Sequence, residues 1–205
     1  MKLYHLITGP LRVNAYFLVN ENTNEAVLID GGENYKKIKQ VEDGNGFKIK
    51  ALLLTHAHFD HAGCAKKLQD DGVKVYIGAP DAPKLLNDDN LSGDFGREFE
   101  YLTADKTVID GDIITECGIS FKVIATPGHT DGSVCFVVEN MLFSGDTLFL
   151  ESVGRTDFKS GSRADLVKSV KKLFELEGDY KVYPGHEDFT TLSHERKYNL
   201  FADYD

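Results

Sequence analysis

A four-residue apolar run, Ala51-Leu52-Leu53-Leu54, leads directly into Thr55-His56-Ala57-His58-Phe59-Asp60-His61. An unbroken run of this kind marks a strand buried on both faces, as in parallel sheets covered by helices. Immediately past it, four groups able to bind a cation fall in the form HxHxDH. While the chain stays extended, residues two apart point the same way, so His56 and His58 can grip one ion. A turn into a helix then lets Asp60 and His61 reach a second ion beside the first. Imidazole with carboxylate suits zinc, and also iron or manganese. Asp60 alone would read as a helix N-cap, and any one of the histidines alone as structural. The cluster carries the inference.

Short apolar bursts at 3–8, 13–19 and 26–29 predict strands, with turns at Thr8-Gly9-Pro10 and 20–24. Tyr35, Ile38 and Val41 predict a helix over 34–41, ended by Gly44 and Gly46. A helix over 61–69, a strand at 73–77, a short helix at 81–86 and a polar, glycine-rich loop at 87–96 follow. Further strands are expected at 113–116, 119–125, 134–138, 141–144 and 181–183. Leu166, Val167, Val170, Leu173 and Phe174 mark one face of an amphipathic helix, and 195–201 predicts a last one. Strand clusters mixed with outer helices predict an α/β fold, a four-layer αββα sandwich. No linker or composition shift divides the chain, so residues 1–205 are expected to form one domain.

Three further strand ends carry metal-ligand residues: His129 in Thr126-Pro127-Gly128-His129-Thr130, Asp146 in Ser144-Gly145-Asp146-Thr147, and His186 in Tyr183-Pro184-Gly185-His186. Strand ends of this kind can converge on one cleft. Asp30 closes Leu28-Ile29-Asp30-Gly31-Gly32. It fits a partner that orients a ligand as well as it fits a plain turn aspartate. His5 and His194 are left without a role.

Composition narrows the classes. A net charge of −10 and a pI of about 5.1 repel phosphate backbones, so no nucleic-acid partner is expected. Cys64, Cys117 and Cys135 form an odd, sparse set without CxxC spacing, which favours a reducing compartment. The first residues lack an apolar signal core, and no stretch approaches the roughly 20 apolar residues that span a bilayer. A soluble, cytoplasmic protein with no membrane partner is therefore expected. A chain of 205 residues buries a full core unaided, so bound cations would serve chemistry. No GxSxG elbow or P-loop is present, and the cysteines carry no nucleophile signature. Asp88, Asn90, Ser92 and Gly93 are spaced like a calcium loop, but Phe99 stands where glutamate is needed; calcium is rejected there. Nothing in the sequence sets an oligomeric state.

The ordered series HxHxDH, His129, Asp146, His186 resembles the metallo-β-lactamase superfamily, over residues 30–186. The resemblance implies an αββα sandwich with two divalent ions, zinc foremost, at the sheet edges. It places His56, His58 and His129 on the first ion, Asp60, His61 and His186 on the second, and Asp146 across both. Within the superfamily the chain looks like the glyoxalase II (hydroxyacylglutathione hydrolase) branch in its short, single-domain form. The segments that carry this are Gly145-Asp146-Thr147-Leu148-Phe149, Gly154-Arg155-Thr156-Asp157-Phe158, Tyr183-Pro184-Gly185-His186-Glu187, Thr190-Thr191-Leu192 and Glu195-Arg196. The implied activity is hydrolysis of a small-molecule thioester by a metal-bridging hydroxide, with Asp60 and Asp146 as catalytic carboxylates.

True β-lactamases usually carry cysteine where Asp146 stands, which disfavours antibiotic hydrolysis. Full-length glyoxalase II grips glutathione with an added helical domain, and only a short tail follows His186 here. The Gly-Arg-Thr-Asp-Phe segment is also shared with persulfide dioxygenases, whose single iron would be held by His56, His129 and Asp146. That oxidoreductase is one alternative, and a non-catalytic metal-binding module is another; Pro184-Gly185-His186-Glu187 leans towards the hydrolase. Arg155 is expected to form a structural ion pair rather than to meet a substrate carboxylate. Cys64 is expected to pack in the core, and the 88–96 loop to lie over the mouth of the site.

Overall fold

The structure, a computed structural model, describes residues 1–202. The first half of the chain builds a six-stranded sheet in sequential order: β1 (Lys2–Thr8), β2 (Val13–Asn20), β3 (Glu25–Ile29), β4 (Lys48–Leu54), β5 (Lys74–Gly78) and β6 (Lys106–Val108). β1, β2 and β3 pair antiparallel; β3 to β6 run parallel. Parallel neighbours need a crossover. α1 (Tyr35–Asn45) supplies it between β3 and β4, and α2 (Phe59–Ala62) with α3 (Ala65–Asp70) between β4 and β5. The side chain of Asn34 caps α1 by accepting from the backbone N–H of Lys37, and Gly46 ends the helix in the left-handed conformation.

A second six-stranded sheet follows. β7 (Ile113–Glu116), β8 (Ile119–Ala125), β9 (Val134–Val138) and β10 (Met141–Gly145) form an antiparallel meander. After a small ribbon, β11 (Leu148–Phe149) with β12 (Ser152–Val153), α4 (Arg163–Phe174) carries the chain to β13 (Lys181–Pro184), parallel to β10. β14 (Thr190–Thr191) and α5 (Leu192–Tyr198) complete it.

Three apolar clusters show how the layers stack. Tyr16, Leu18, Val27, Ile29 and Leu53 meet Phe121, Val123, Phe136 and Phe143 between the sheets. The alternate residues of the same strands, among them Phe17, Leu28, Leu52 and Leu54, pack outward with Ile38 of α1 and Leu68 of α3. On the far side Ile124, Cys135 and Leu142 pack against Leu166, Val170 and Leu173 of α4 and Leu192 of α5. Each sheet is thus apolar on both faces, which is why β2 and β4 read as continuous hydrophobic runs. The layers run helix, sheet, sheet, helix, as expected from the sequence. No helix among the described residues is long and apolar enough to cross a membrane.

Several expectations shift. The helix predicted over 61–69 is broken at Gly63 and Cys64 into α2 and α3. The carbonyl of His61 accepts instead from Gly31 and Gly32 N–H at 3.0 and 2.9 Å, and Cys64 N–H donates to Gly32 at 2.8 Å. The β3 end thereby draws hydrogen bonds out of the helix. The segments Ala82–Leu86 and Asp88–Asn90 are 3-10 turns. β6, β11, β12 and β14 are added, and the last helix starts at Leu192 and ends at Tyr198, its start capped by Thr191. Cys64 is fully buried, as expected, and burial pushes its thiol up to about 12.

Phe136 is fully enclosed between the sheets. Phe136→Ala is expected to cost about 3–5 kcal/mol of stability, read from the shift of the denaturant midpoint at unchanged slope.

Candidate metal centre

The C-terminal ends of β3, β4, β8, β10 and β13 lie at one edge of the sandwich, each followed within four residues by one or more of the polar residues singled out above. Past β4 the backbone stays extended through His58, which precedes α2 with φ −60° and ψ 144°. Asp60 and His61 then fall inside that single helical turn. The structure brings all seven predicted groups together: ligand atoms of His56, His58 and His129, of His56, His61 and Asp146, and of Asp60, His61 and His186 each lie within 4.8 Å of one another. His58 Nδ1 is 2.9 Å from His129 Nε2, and His61 Nε2 is 3.3 Å from His186 Nε2. Asp146 lies among them, with Oδ1 3.4 Å from His61 Nε2 and Oδ2 3.5 Å from His129 Nε2.

In four of the five histidines the nitrogen facing away from this cluster is engaged. His61 Nδ1 meets Asp30 Oδ2 at 2.9 Å, His129 Nδ1 the carbonyl of Arg155 at 2.8 Å, and His186 Nδ1 the carbonyl of Leu11 at 3.0 Å. His56 Nδ1 lies 3.1 Å from Thr55 Oγ1, which itself donates to Asp30 at 2.8 Å. Such outer partners fix the ring and turn the other nitrogen's lone pair inward. Asp30, buried in a left-handed turn, therefore orients two imidazoles, the first of its two sequence readings. His58 differs: it faces the cluster with Nδ1.

Among the described residues, His56 Nε2 and Asp146 Oδ1 are buried without a hydrogen-bond partner. Buried polar atoms are rarely left so, and both point into the histidine–carboxylate cluster. The donor set and these two unpaired atoms fit divalent cations. Charge agrees. Burial, reinforced by the neighbouring imidazoles, pushes His56 and His58 well below the usual histidine range, into the neutral form a cation needs. Burial also opposes charge on His61, yet the carboxylates of Asp60, Asp30 and Asp146 outweigh it and raise this group to about 10. Burial likewise works against the Asp60 carboxylate, but His61 and His186 hold it far below its ordinary range. The centre thus favours positive charge in its midst.

Close packing also protects the geometry. A Cβ on Gly185 would lie 2.3 Å from Asp146 Oδ1 and 2.7 Å from His61 Cε1. One on Gly154 would sit 1.8 Å from the carbonyl of Asp146.

The cluster opens into a cleft of about 560 Å³. Leu91 and Phe95 of the 87–96 segment form part of its wall, with Phe59, Phe149 and Phe158, and Arg12 stands at its rim. Arg155 makes two hydrogen bonds of 2.6 Å to Asp157 and lies over the Phe158 ring, its cation 4.2 Å from the centroid. The structural ion pair is the role its side chain takes, while its carbonyl orients His129. His5 pairs with Asn14 and His194 with Glu151, both outside the cluster. The sequence gives no sign of three contributors: Leu11 and Arg155, which act through backbone carbonyls, and Asp81, which only begins the short helix expected over 81–86. Asp81 makes no cap bond and instead accepts from the backbone N–H of Ala57 at 2.8 Å.

An αββα sandwich with a histidine–aspartate cation cage at its edge defines a class of metal-binding hydrolase folds. The chain belongs to the metallo-β-lactamase superfamily, whose family model matches residues 8–186. A probable metallo-hydrolase of Streptococcus pyogenes serotype M6 is 36% identical, over 98% of this chain and 90% of that protein. The hydroxyacylglutathione hydrolase GloC of Haemophilus influenzae is 32% identical, over 92% of each. Among solved structures, BLEG-1 B3 metallo-β-lactamase superposes with a TM-score of 0.93 at 33% identity, over 98% of this chain and 100% of that one. TTHA1623 in a di-iron-bound form gives 0.86 at 33% identity, over 97% and 99%.

Two outcomes follow. At pH 8 the metal-free protein carries a proton on His61, because the raised value lies above that pH, whereas His56 and His58 carry none. A cation taking His61 Nε2 must displace that proton. Zinc binding is therefore expected to release protons, seen calorimetrically as a binding enthalpy that changes with the ionisation enthalpy of the buffer. Second, Gly185→Ala is expected to lower zinc affinity by at least about 10-fold in a folded protein, measured against a chromophoric chelator.

Proposed function

We propose that this protein is a thioester hydrolase of the hydroxyacylglutathione hydrolase type, acting with two divalent cations, zinc foremost. The observation that carries the reading is the single cage of five imidazoles and two carboxylates at the end of a largely apolar cleft. The likeness to a hydroxyacylglutathione hydrolase along nearly the whole chain supports it. Iron is an alternative occupant, as the di-iron form of TTHA1623 illustrates for that protein.

His56, His58 and His129 would hold one cation and Asp60, His61 and His186 the other, with Asp146 reaching both. When bound, such a pair supplies a water of lowered pKa and a Lewis acid for a carbonyl oxygen. The carboxylates of Asp60 and Asp146 offset the positive charge and accept a hydrogen bond from the attacking water, aiming its lone pair at the thioester carbon. Leu91, Phe95, Phe149 and Phe158 give the substrate an apolar wall and keep bulk water away. Arg12, whose side chain has no hydrogen-bond or ion-pair partner among the described residues, meets an anionic group of the substrate at the rim.

The test is thiol release from S-lactoylglutathione by the metal-loaded protein, with metal content measured on the same sample. Turnover with two metal ions per chain, lost by more than about 100-fold in His58→Ala, is expected. One iron per chain with consumption of a persulfide and oxygen would replace the hydrolase by the dioxygenase reading. Hydrolysis of a β-lactam without thioester turnover would replace it by the activity named for BLEG-1. Fully metallated protein that turns over none of these is a binding module, and the proposal falls.

A further inference from the structure

Asp81 is fully buried and belongs to no ligand set, yet its carboxylate accepts four hydrogen bonds from three separate segments. Oδ2 takes the backbone N–H of Ala57 at 2.8 Å and the hydroxyl of Thr130 at 2.9 Å. Oδ1 takes the backbone N–H of Gly132 at 3.1 Å and Lys84 Nζ at 2.6 Å. Lys84 is itself buried and also bonds Asp131, so the aspartate's charge is answered locally. This is an expensive arrangement: a buried carboxylate is tolerated only when its acceptor sites are filled.

The donors are not arbitrary. Ala57 lies between His56 and His58 in the extended stretch past β4, so pinning its N–H fixes the peptide from which both imidazoles project. Thr130 and Gly132 belong to the β8–β9 turn that carries His129. Asp81 thus ties the part of the first sheet bearing His56 and His58 to the part of the second bearing His129. Contact there is close: a Cβ on Gly78 would fall 2.1 Å from the Gly132 carbonyl, and one on Gly132 would fall 2.4 Å from Asp81 N.

The other ligand set has its own brace. Around His186, Asn14 N–H donates to the Gly185 carbonyl at 2.8 Å, and Asn14 Nδ2 donates to Pro184 and Glu187 carbonyls at 3.0 Å each. Tyr16 donates its hydroxyl to Pro184 at 2.6 Å. None of these contacts runs through Asp81.

From this separation we infer that Asp81 is a positioning residue for one cation site only: it assembles the site of His56, His58 and His129, while that of Asp60, His61 and His186 forms without it. The inference rests on the two-cation reading above. Asp81→Asn keeps the shape but leaves one amide oxygen to serve four donors, and turns an N–H₂ group towards some of them. The clamp then loosens on both sheets at once.

The experiment titrates zinc chloride alone into metal-free, full-length protein in competition with a chromophoric chelator. Wild type is expected to take two tight zinc ions. Asp81→Asn is expected to keep one at unchanged affinity and bind the other about 10–100-fold more weakly. Two sites both retained at wild-type affinity overturn the inference, as does equal weakening of both, which marks a general structural role. Should Asp81→Asn fail to fold, Thr130→Val removes one donor and is expected to weaken one site alone, by several-fold; equal or no weakening overturns the inference equally. Wild type that binds no zinc, or only one ion, instead sinks the two-cation reading itself.

Discussion

One buried and one largely buried carboxylate, Asp60 and Asp146, surrounded by five buried or half-buried imidazoles, impose the constraint from which the rest of this molecule follows. Removed from water, such groups are tolerated only with paired charge and filled hydrogen-bonding positions. Here the outer nitrogens of His56, His61, His129 and His186 are tied to carbonyls, a hydroxyl and Asp30, while the inner atoms face one another. The carboxylates of Asp60, Asp30 and Asp146 raise the affinity of His61 for a proton. The same field that retains the proton would retain a metal ion more strongly, since a divalent cation satisfies several lone pairs at once. The cage stores an electrostatic demand that a structural core has no reason to create. Stability comes from elsewhere, from three large apolar clusters.

How much of this was legible depended on the range of the interactions. The run 51–54 and the HxHxDH after it could be read because strand periodicity and ligand spacing are local properties. His129, Asp146 and His186 could be read because each follows an apolar strand, and strand ends of parallel elements share an edge. The layer order followed from the mixture of buried strands and amphipathic helices. What escaped depends on distant partners. The break between α2 and α3 exists because Gly31 and Gly32, some thirty residues earlier in the chain, capture the His61 carbonyl. Strands of two or three residues such as β6, β11, β12 and β14 are too short for any periodicity. Leu11 and Arg155 act through carbonyls that every residue possesses, so side-chain identity carries no signal of it.

Asp30 and Asp81 show the same limit from two directions. Both are buried aspartates at loop positions that accept a backbone N–H past β4. Asp30 is legible because it closes the apolar run Leu28-Ile29. Asp81 sits in a stretch that looks like an ordinary helix start, and its partners lie 24 and 49 positions away. An aspartate's small side chain suits caps, turns and buried clamps alike, so residue type does not separate them. Only the burial and the direction of the donors do.

The division of ligands between the sheets gives the fold its relevance to chemistry. Each three-residue set takes two members from the segment that follows β4 in the first sheet and one from a loop of the second: His56 and His58 with His129, Asp60 and His61 with His186. The separation of those members is therefore the separation of the sheets, about 10 Å between backbones, which the aromatic core of Tyr16, Phe121, Phe136 and Phe143 maintains. Loops alone would allow the groups to drift, and catalytic geometry tolerates little drift. Rigid strands supply the coarse spacing. The cross-sheet bonds of Asp81, and of Asn14 with Tyr16, take up what remains at the edge, where the core no longer reaches. The apolar side chains of the cleft wall, Leu91, Phe95, Phe149 and Phe158, make no such cross-sheet hydrogen bonds. A family that keeps one cage and changes its walls can serve many substrates on one scaffold.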